Sequence, residues 1–255
     1  MWNRKMIKTR AKAVLKISYW KAFLVSLVIV FVGGNFGGSS NWKFGSDNSG
    51  KMANNFQGPG PDFGVDMLPQ LQHIILIVLI FLLVMLLILV FRIFLGYPLE
   101  VGGRRYFIRS TQSDFDMNNL GFAFGKPQYF AVVKSMLWRS FINFLWFLLL
   151  IIPGIIKAYA YRMVPYILAD NPEIGYKRAL ELSTQMTDGQ KFDMFVLDLS
   201  FIGWYLLGVL ALFVGVFFVL PYQNATEAEL YLILRQNVLD NGLCSYGELS
   251  IDKPV

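Results

Sequence analysis

A chain of 255 residues with 55% hydrophobic and only 16% charged residues is too apolar for a soluble domain, where about 25% of residues carry charge, and it belongs in a membrane. Its formal charge of +6 does not indicate nucleic acid, because the basic residues flank apolar runs and form no recognised binding module; anionic lipid is the expected partner. A lone Cys244 and a lone His73 exclude an intrachain disulfide, a cysteine-based metal site and most hydrolase constellations.

In chain order, residues 1–21 carry Arg4, Lys5, Lys8, Arg10, Lys12, Lys16 and Lys21 and no acidic residue. Ile7, Ala11, Val14 and Leu15 recur among them at helical spacing. The pattern predicts an amphipathic interfacial helix whose Arg4, Lys5, Lys8, Arg10 and Lys12 contact anionic headgroups. Residues 22–34 form a first, short span, and the Tyr19-Trp20 pair before it suits a membrane-interface belt, which favours an uncleaved anchor over a secretory signal. Residues 35–72 change to Gly, Asn, Ser and Asp with scattered aromatics such as Trp42 and Phe56, the composition of a flexible outer loop. Residues 73–95 are the second span, built on an unbroken apolar run from Ile74 to Phe91.

Residues 96–134 are polar and expected in the cytoplasm. Gly102-Gly103 beside Arg104-Arg105 could grip a phosphate headgroup, with Arg104 and Arg105 as lipid contacts, although the spacing is not that of a nucleotide-binding loop. Asp114 and Asp116 read as caps or turns. Residues 135–152 and 154–169 predict a third and a fourth span, with Pro153 and Gly154 as the hairpin turn between them. Arg162 then lies about 12 Å down the returning helix at ~1.5 Å per residue, a depth at which a charge needs a partner.

Asn171 as N-cap and Pro172 at the first helical position open an amphipathic interfacial helix over residues 171–187, with Tyr176, Ala179, Leu180, Ser183 and Met186 on its inner face. Residues 194–214 are the fifth span, carrying Asp198 and the small residues Gly203 and Gly208 that permit close helix approach. Residues 216–236 form a sixth span that is polar on one side, so it lines the bundle interior or leaves the membrane at Pro221. Glu227 falls at a depth similar to that of Arg162. An Arg162–Glu227 ion pair, with Asp198 as the competing partner, is the sharpest expectation, and these three residues make up an intramembrane polar network. Residues 237–255 read as a cytoplasmic tail.

The whole is an all-α, polytopic transmembrane helical bundle of about six spans, five being the rival count. Seven Lys and Arg precede residue 22 and seven lie between Arg92 and Arg139, against only Lys43 and Lys51 in the outer loop. The positive-inside rule therefore puts both termini in the cytoplasm.

Several stretches resemble a bacterial integral membrane family known as domain of unknown function 975. They are Leu145-Trp146-Phe147-Leu148-Leu149 leading to Ile152-Pro153-Gly154-Ile155-Ile156-Lys157, then Tyr159-Ala160-Tyr161-Arg162-Met163, Tyr166-Ile167-Leu168-Ala169-Asp170 and Leu197-Asp198-Leu199-Ser200-Phe201-Ile202-Gly203-Trp204. The amino-terminal basic helix, Pro221-Tyr222 and Tyr231 fit as well. More distantly, the Pro-Gly hairpin followed by an amphipathic helix looks like the membrane domain attached to some glycerophosphodiester phosphodiesterases; no catalytic domain of that kind accompanies it here. The resemblance implies a bacterial plasma-membrane protein and brings no catalytic residues.

No catalytic group, cofactor or metal site is expected. The leading functional reading is a non-enzymatic protein that organises the membrane or binds lipid or a membrane-protein partner. A transporter or permease using Arg162, Asp198 and Glu227 is the alternative. A headgroup enzyme built on Glu100, Asp114 or Asp116 ranks last, since no nucleophile and base are identifiable by spacing.

Overall fold

The computed structural model describes residues 2–33, 67–210 and 214–249, and among these every regular element is helical. The expected outer-loop residues 35–66, with Trp42 and Phe56, lie outside the described residues. The chain divides into two units, Ser40–Phe91 and the combination of Met1–Ser39 with Arg92–Val255.

In the first unit the described element is α2, Met67–Phe91. From Ile74 to Phe91 its apolar side chains are exposed all round, and the run is long and apolar enough to cross a membrane.

The second unit begins with α1, Arg4–Gly33. Ile7, Ala11, Leu15, Ser18, Ala22, Val25 and Ile29 are buried along it at spacings of three and four, one unbroken helical stripe. Ile17, Trp20, Leu24 and Phe31 form an apolar stripe on the exposed side. The expected division between a basic helix and a span at residues 21 and 22 is instead a kink at Ser18 (φ −137°, ψ 37°) within one helical run. The basic half is thus half of a core helix, because the same stripe continues through both halves.

A π-helical turn, Arg92–Gly96, leads into α3, Tyr97–Thr111. The sequence reads this region as a polar cytoplasmic segment, yet α3 is buried on nearly every side. Two glycines make that possible. A Cβ on Gly102 would stand 2.0 Å from the Leu120 carbonyl oxygen, and one on Gly103 would stand 2.5 Å from Ile29 Cδ1. Their role is close packing against the 3₁₀ segment Met117–Phe124 and against α1, not a grip on phosphate.

The helix α4, Lys126–Leu149, ends at Leu150, whose extended backbone (φ −158°, ψ 142°) separates it from α5, Ile151–Ala160. The hairpin break therefore falls at Leu150, and Pro153 and Gly154 sit in the first turn of α5. Proline is tolerated there because its absent N–H would have had no helical partner. Gly154 earns its place by close approach, since a Cβ would lie 2.8 Å from Phe147 Cδ1.

The expected fourth span, 154–169, is two short helices, α5 and α6, Val164–Asp170, with a turn at 161–163. Ser183 and Thr187 make the break affordable to the backbone. Ser183 Oγ donates to the Ala160 carbonyl (2.7 Å) and accepts from the Met163 N–H (3.2 Å), and Thr187 Oγ1 adds a second donor to Ala160 (3.4 Å).

The next helix, α7, is Tyr176–Met186. Asn171 is the C-cap of α6 rather than an N-cap, and Gly175 (φ 85°) turns the chain before the new helix starts. Ala179, Leu180, Ser183 and Met186 do face inward and are buried. Two long helices follow, α8, Lys191–Leu210, and α9, Val214–Asp240. They approach where a Cβ on Gly208 would meet Val216 N at 2.7 Å, whereas Gly203 faces open space. The helix α9 continues through Pro221 with its polar face buried. The expected tail is packed against the bundle over residues 241–249, with Cys244 and Leu249 buried and Glu248 bound to Arg178 at 2.5 Å.

Among the described residues four stretches are long and apolar enough to cross a membrane by length and composition: Arg4–Phe31, Gln72–Thr111, Pro127–Leu149 and Lys191–Leu210. The short α5 and α6 fail on length, and α9 is too polar in its middle, where Gln223, Asn224, Glu227 and Glu229 lower its hydropathy.

Candidate functional site

The polar centre of the second unit is assembled from six helices. Arg162, in the turn after α5, is placed by the Ser183 cap described above. Its Nη1 and Nη2 meet Asp198 Oδ2 (2.8 Å) and Oδ1 (2.9 Å) of α8 in a two-pronged contact, and Nη2 also donates to Glu227 Oε1 (2.8 Å) of α9. Tyr159, one turn earlier, donates its hydroxyl to Asp198 Oδ2 at 2.8 Å.

Glu227 is surrounded by donors. Its Oε1 accepts from Arg162 and from Gln223 Nε2 (3.1 Å), and its Oε2 accepts from Arg104 Nη1 (3.3 Å) and the Tyr166 hydroxyl (3.1 Å). Arg104 Nη1 also reaches Tyr166 Oη (3.0 Å) and Asn224 Oδ1 (2.7 Å), and the guanidinium carbon lies 5.0 Å from the Tyr166 ring centre. The periphery is closed by Asn224 Nδ2 on Ser26 Oγ of α1 (3.0 Å) and by the Tyr205 hydroxyl on Gln223. Arg104, Arg162 and Glu227 are each less than 10% exposed.

Two guanidiniums thus face two carboxylates, so the cluster is electrically neutral. Next to it, the buried Glu100 pairs with the partly buried Arg139 at 3.6 Å. Isolated charges would be prohibitively costly in this environment, and mutual pairing with near-complete hydrogen bonding is what allows them to stay ionised. One donor is left over: Arg104 Nε is buried with no acceptor.

The structure brings Arg162, Asp198 and Glu227 together and adds Arg104, which the sequence reading had assigned to lipid headgroups. Arg104 cannot serve there because it points into the core. A signal for this existed: Tyr97, Val101, Arg104 and Ile108 recur at spacings of four, three and four, and all are buried.

The other expected headgroup residues divide. Arg4, Lys5, Arg10 and Lys12 are exposed. Lys8 turns inward, its Nζ 2.6 Å from Ser200 Oγ and 4.2 Å from the centre of the Phe201 ring, so it is an intramolecular contact rather than a lipid one. Arg105 is half-buried; it donates to the Ala169 carbonyl (2.5 Å) and stacks on Phe122 at 3.6 Å. Asp114 and Asp116 act as turn and cap acceptors, Asp116 Oδ1 taking the Asn118 N–H at 2.9 Å. Glu100 is committed to Arg139.

Chemically, both carboxylates of the cluster are occupied by guanidinium and hydroxyl donors. Among the described residues no group of three or more His, Cys, Asp or Glu side chains is placed to hold a metal ion. The arrangement can fix six helices in one register and keep charge in an apolar surrounding.

Comparison with curated proteins and comparison with solved structures each give no match, so neither supports the distant phosphodiesterase likeness. A family model does match residues 61–238, which include α2 to α8, all four charged members of the cluster and most of α9. On that match the chain belongs to the family described as Protein of unknown function (DUF975).

Proposed function

We propose that the protein is a multi-pass membrane protein of the bacterial plasma membrane that works without catalysis, binding anionic lipid or a membrane-protein partner on a rigid helical frame. One observation carries this reading: the helices present apolar side chains outward while the interior charges neutralise one another. Phe144, Leu148, Ile152, Phe192, Leu207 and Leu210 are all more than 60% exposed. A surface of that kind is incompatible with water and natural in lipid.

In this reading α9 also crosses, since its 27 residues span about 40 Å at ~1.5 Å per residue and its acidic residues Glu227 and Glu229 are buried. With α5 and α6 together returning the chain as a sixth crossing, both termini face the cytoplasm, and the exposed Arg4, Lys5, Arg10 and Lys12 lie against anionic headgroups. Native mass spectrometry of the detergent-solubilised protein tests the lipid part. Retention of phosphatidylglycerol over phosphatidylcholine, lost when those four residues become Gln, is the expected result; equal retention of both lipids would overturn it.

Transport is the second reading, favoured by one feature: the Asp198 side chain keeps 18% exposure while bound to the 9%-exposed Arg162. It requires solute flux in proteoliposomes that Asp198→Asn abolishes.

A further inference from the structure

Away from the buried cluster, α3, α6 and α9 enclose a polar cleft of about 360 Å³ whose walls include Arg105, Arg109, Gln128, Asp170, Glu173 and Arg235. Its volume is at the lower end of the roughly 300–1,000 Å³ typical of small-molecule sites, but its lining is polar rather than apolar. Three guanidiniums face two carboxylates there.

The carboxylates do not balance the arginines. Asp170 is already committed, accepting from Tyr231 Oη at 2.6 Å and from Arg235 Nη1 at 3.0 Å. Glu173 is exposed at the rim. Arg105 and Arg109 stand one turn apart on α3, a like-charge arrangement that is unfavourable without a counter-ion. Among the described residues neither has a carboxylate within ion-pairing distance. Arg105 is nevertheless held in place, between the Phe122 ring and the Ala169 carbonyl, so its remaining N–H edge is pre-organised. Arg109 has no hydrogen-bonded side-chain partner among the described residues and can swing over the opening.

A fixed guanidinium beside an exposed one, neither in an ion pair among the described residues, suits the tetrahedral oxygens of a phosphate, which arginine grips through paired N–H donors. We propose that this cleft binds a phosphate group, carried either by a lipid headgroup or by a soluble phosphate compound. The proposal does not rest on the lipid-binding reading of the amino-terminal helix, because a soluble phosphate satisfies the same chemistry.

The test uses the full chain in a neutral detergent, titrated calorimetrically with inorganic phosphate in one arm and with short-chain phosphatidic acid in the other. Arg109→Gln removes the unpartnered arginine without touching a structural contact, and Arg105→Lys keeps the charge while losing the two-pronged geometry. Saturable binding in either arm that weakens by about tenfold or more in both variants, with thermal unfolding unchanged in Arg109→Gln, is the expected result. Binding in the phosphate arm identifies a soluble source, and binding in the lipid arm alone identifies a headgroup. No saturation in either arm overturns the proposal, as does binding that Arg109→Gln leaves unchanged. A variant with Arg4, Lys5, Arg10 and Lys12 changed to Gln binds like the wild type in both arms, which separates this site from the amino-terminal one.

Discussion

Arg162 and Glu227 meet at 2.8 Å although 65 positions separate them, and the contact joins the break after α5 to the middle of α9. In lipid, apolar side chains gain little by leaving one hydrocarbon surrounding for another, so helix association depends on packing and on polar contacts of this kind. A cluster that is neutral as a whole becomes charged when one member is removed. Glu227→Gln leaves two guanidiniums against Asp198 and should cost about 3–5 kcal/mol. Adding Arg104→Met restores neutrality, so the double variant should be more stable than the sum of the two single losses implies. Chemical unfolding in mixed micelles measures the cycle, and simple additivity would mean that Arg104 and Glu227 do not interact.

Ser183 supports that geometry from below by bonding both sides of the chain break, at Ala160 and Met163. Ser183→Ala leaves a buried carbonyl and a buried N–H short of a partner and should destabilise by about 1–3 kcal/mol. If the cap also positions Arg162, the Ser183→Ala and Glu227→Gln effects will be less than additive. Thr184→Ala, next in sequence and bonded only to its own helix at Leu180, serves as the comparison and should change stability far less.

The cluster was legible in part because charge in an apolar run is informative: Arg162 and Asp198 each interrupt a hydrophobic stretch, and Glu227 falls at a matching depth on the polar side of the sixth expected span. Arg104 was not, because its neighbours Arg105 and Arg109 made the segment look solvated, and the glycines that bury it look like loop residues until Leu120 and Ile29 are seen against them. The hairpin was placed at Pro153-Gly154 since those residues usually punctuate structure. The actual break at Leu150 has no local signal; it follows from where α5 must pack against Phe147. The helix boundary at Asn171 failed for a similar reason. Its side chain accepts the Glu173 N–H at 2.9 Å in a local turn, with no helix there to cap, and Gly175 delays the helix until Tyr176.

Two glycines on long helices should respond in opposite ways to a single methyl group. At Gly102 the added Cβ would stand 2.0 Å from a backbone oxygen, so Gly102→Ala forces α3 away from the Leu120 segment. Displacements of that kind cost about 1–3 kcal/mol or more. At Gly203 nothing lies within 4 Å, and Gly203→Ala should stabilise α8 by about 0.5–1 kcal/mol through helix propensity alone. Thermal unfolding of the two variants checks the sign of each; destabilisation by Gly203→Ala would show that a partner occupies that face.

Acid should weaken the attachment of the carboxyl-terminal segment. The hydrogen bond from Arg178 holds the Glu248 carboxyl below the ordinary carboxylate range. A depressed carboxylate contributes stability that is complete above its unfolded value, about pH 4.3, and that disappears as pH falls through the lower folded value. The side chains are 30% and 26% exposed, so screening limits the contribution to about 1 kcal/mol. Unfolding curves of the wild type and Glu248→Gln should differ at pH 7 and converge below about pH 4. A constant difference down to pH 3 would mean that the ion pair is not the source.

The same segment sets the reactivity of Cys244. Burial, with a smaller effect from Glu248, pushes its thiol up to about 12. The thiolate is the reactive form, and its fraction at neutral pH falls by roughly a thousandfold relative to a thiol near 8.5–9. A more basic thiolate is also a better nucleophile, with a Brønsted coefficient of about 0.4–0.5, which recovers part of that loss. The net slowing from ionisation is therefore about thirtyfold, and steric burial adds to it. Cys244 should react with a thiol–disulfide exchange reagent at least that much more slowly in the folded protein than in denaturant. Glu248→Gln, by removing the neighbouring carboxylate, should recover a part of the rate. Equal rates in folded and denatured protein would show that the segment from Gly242 to Leu249 opens faster than the reagent attacks.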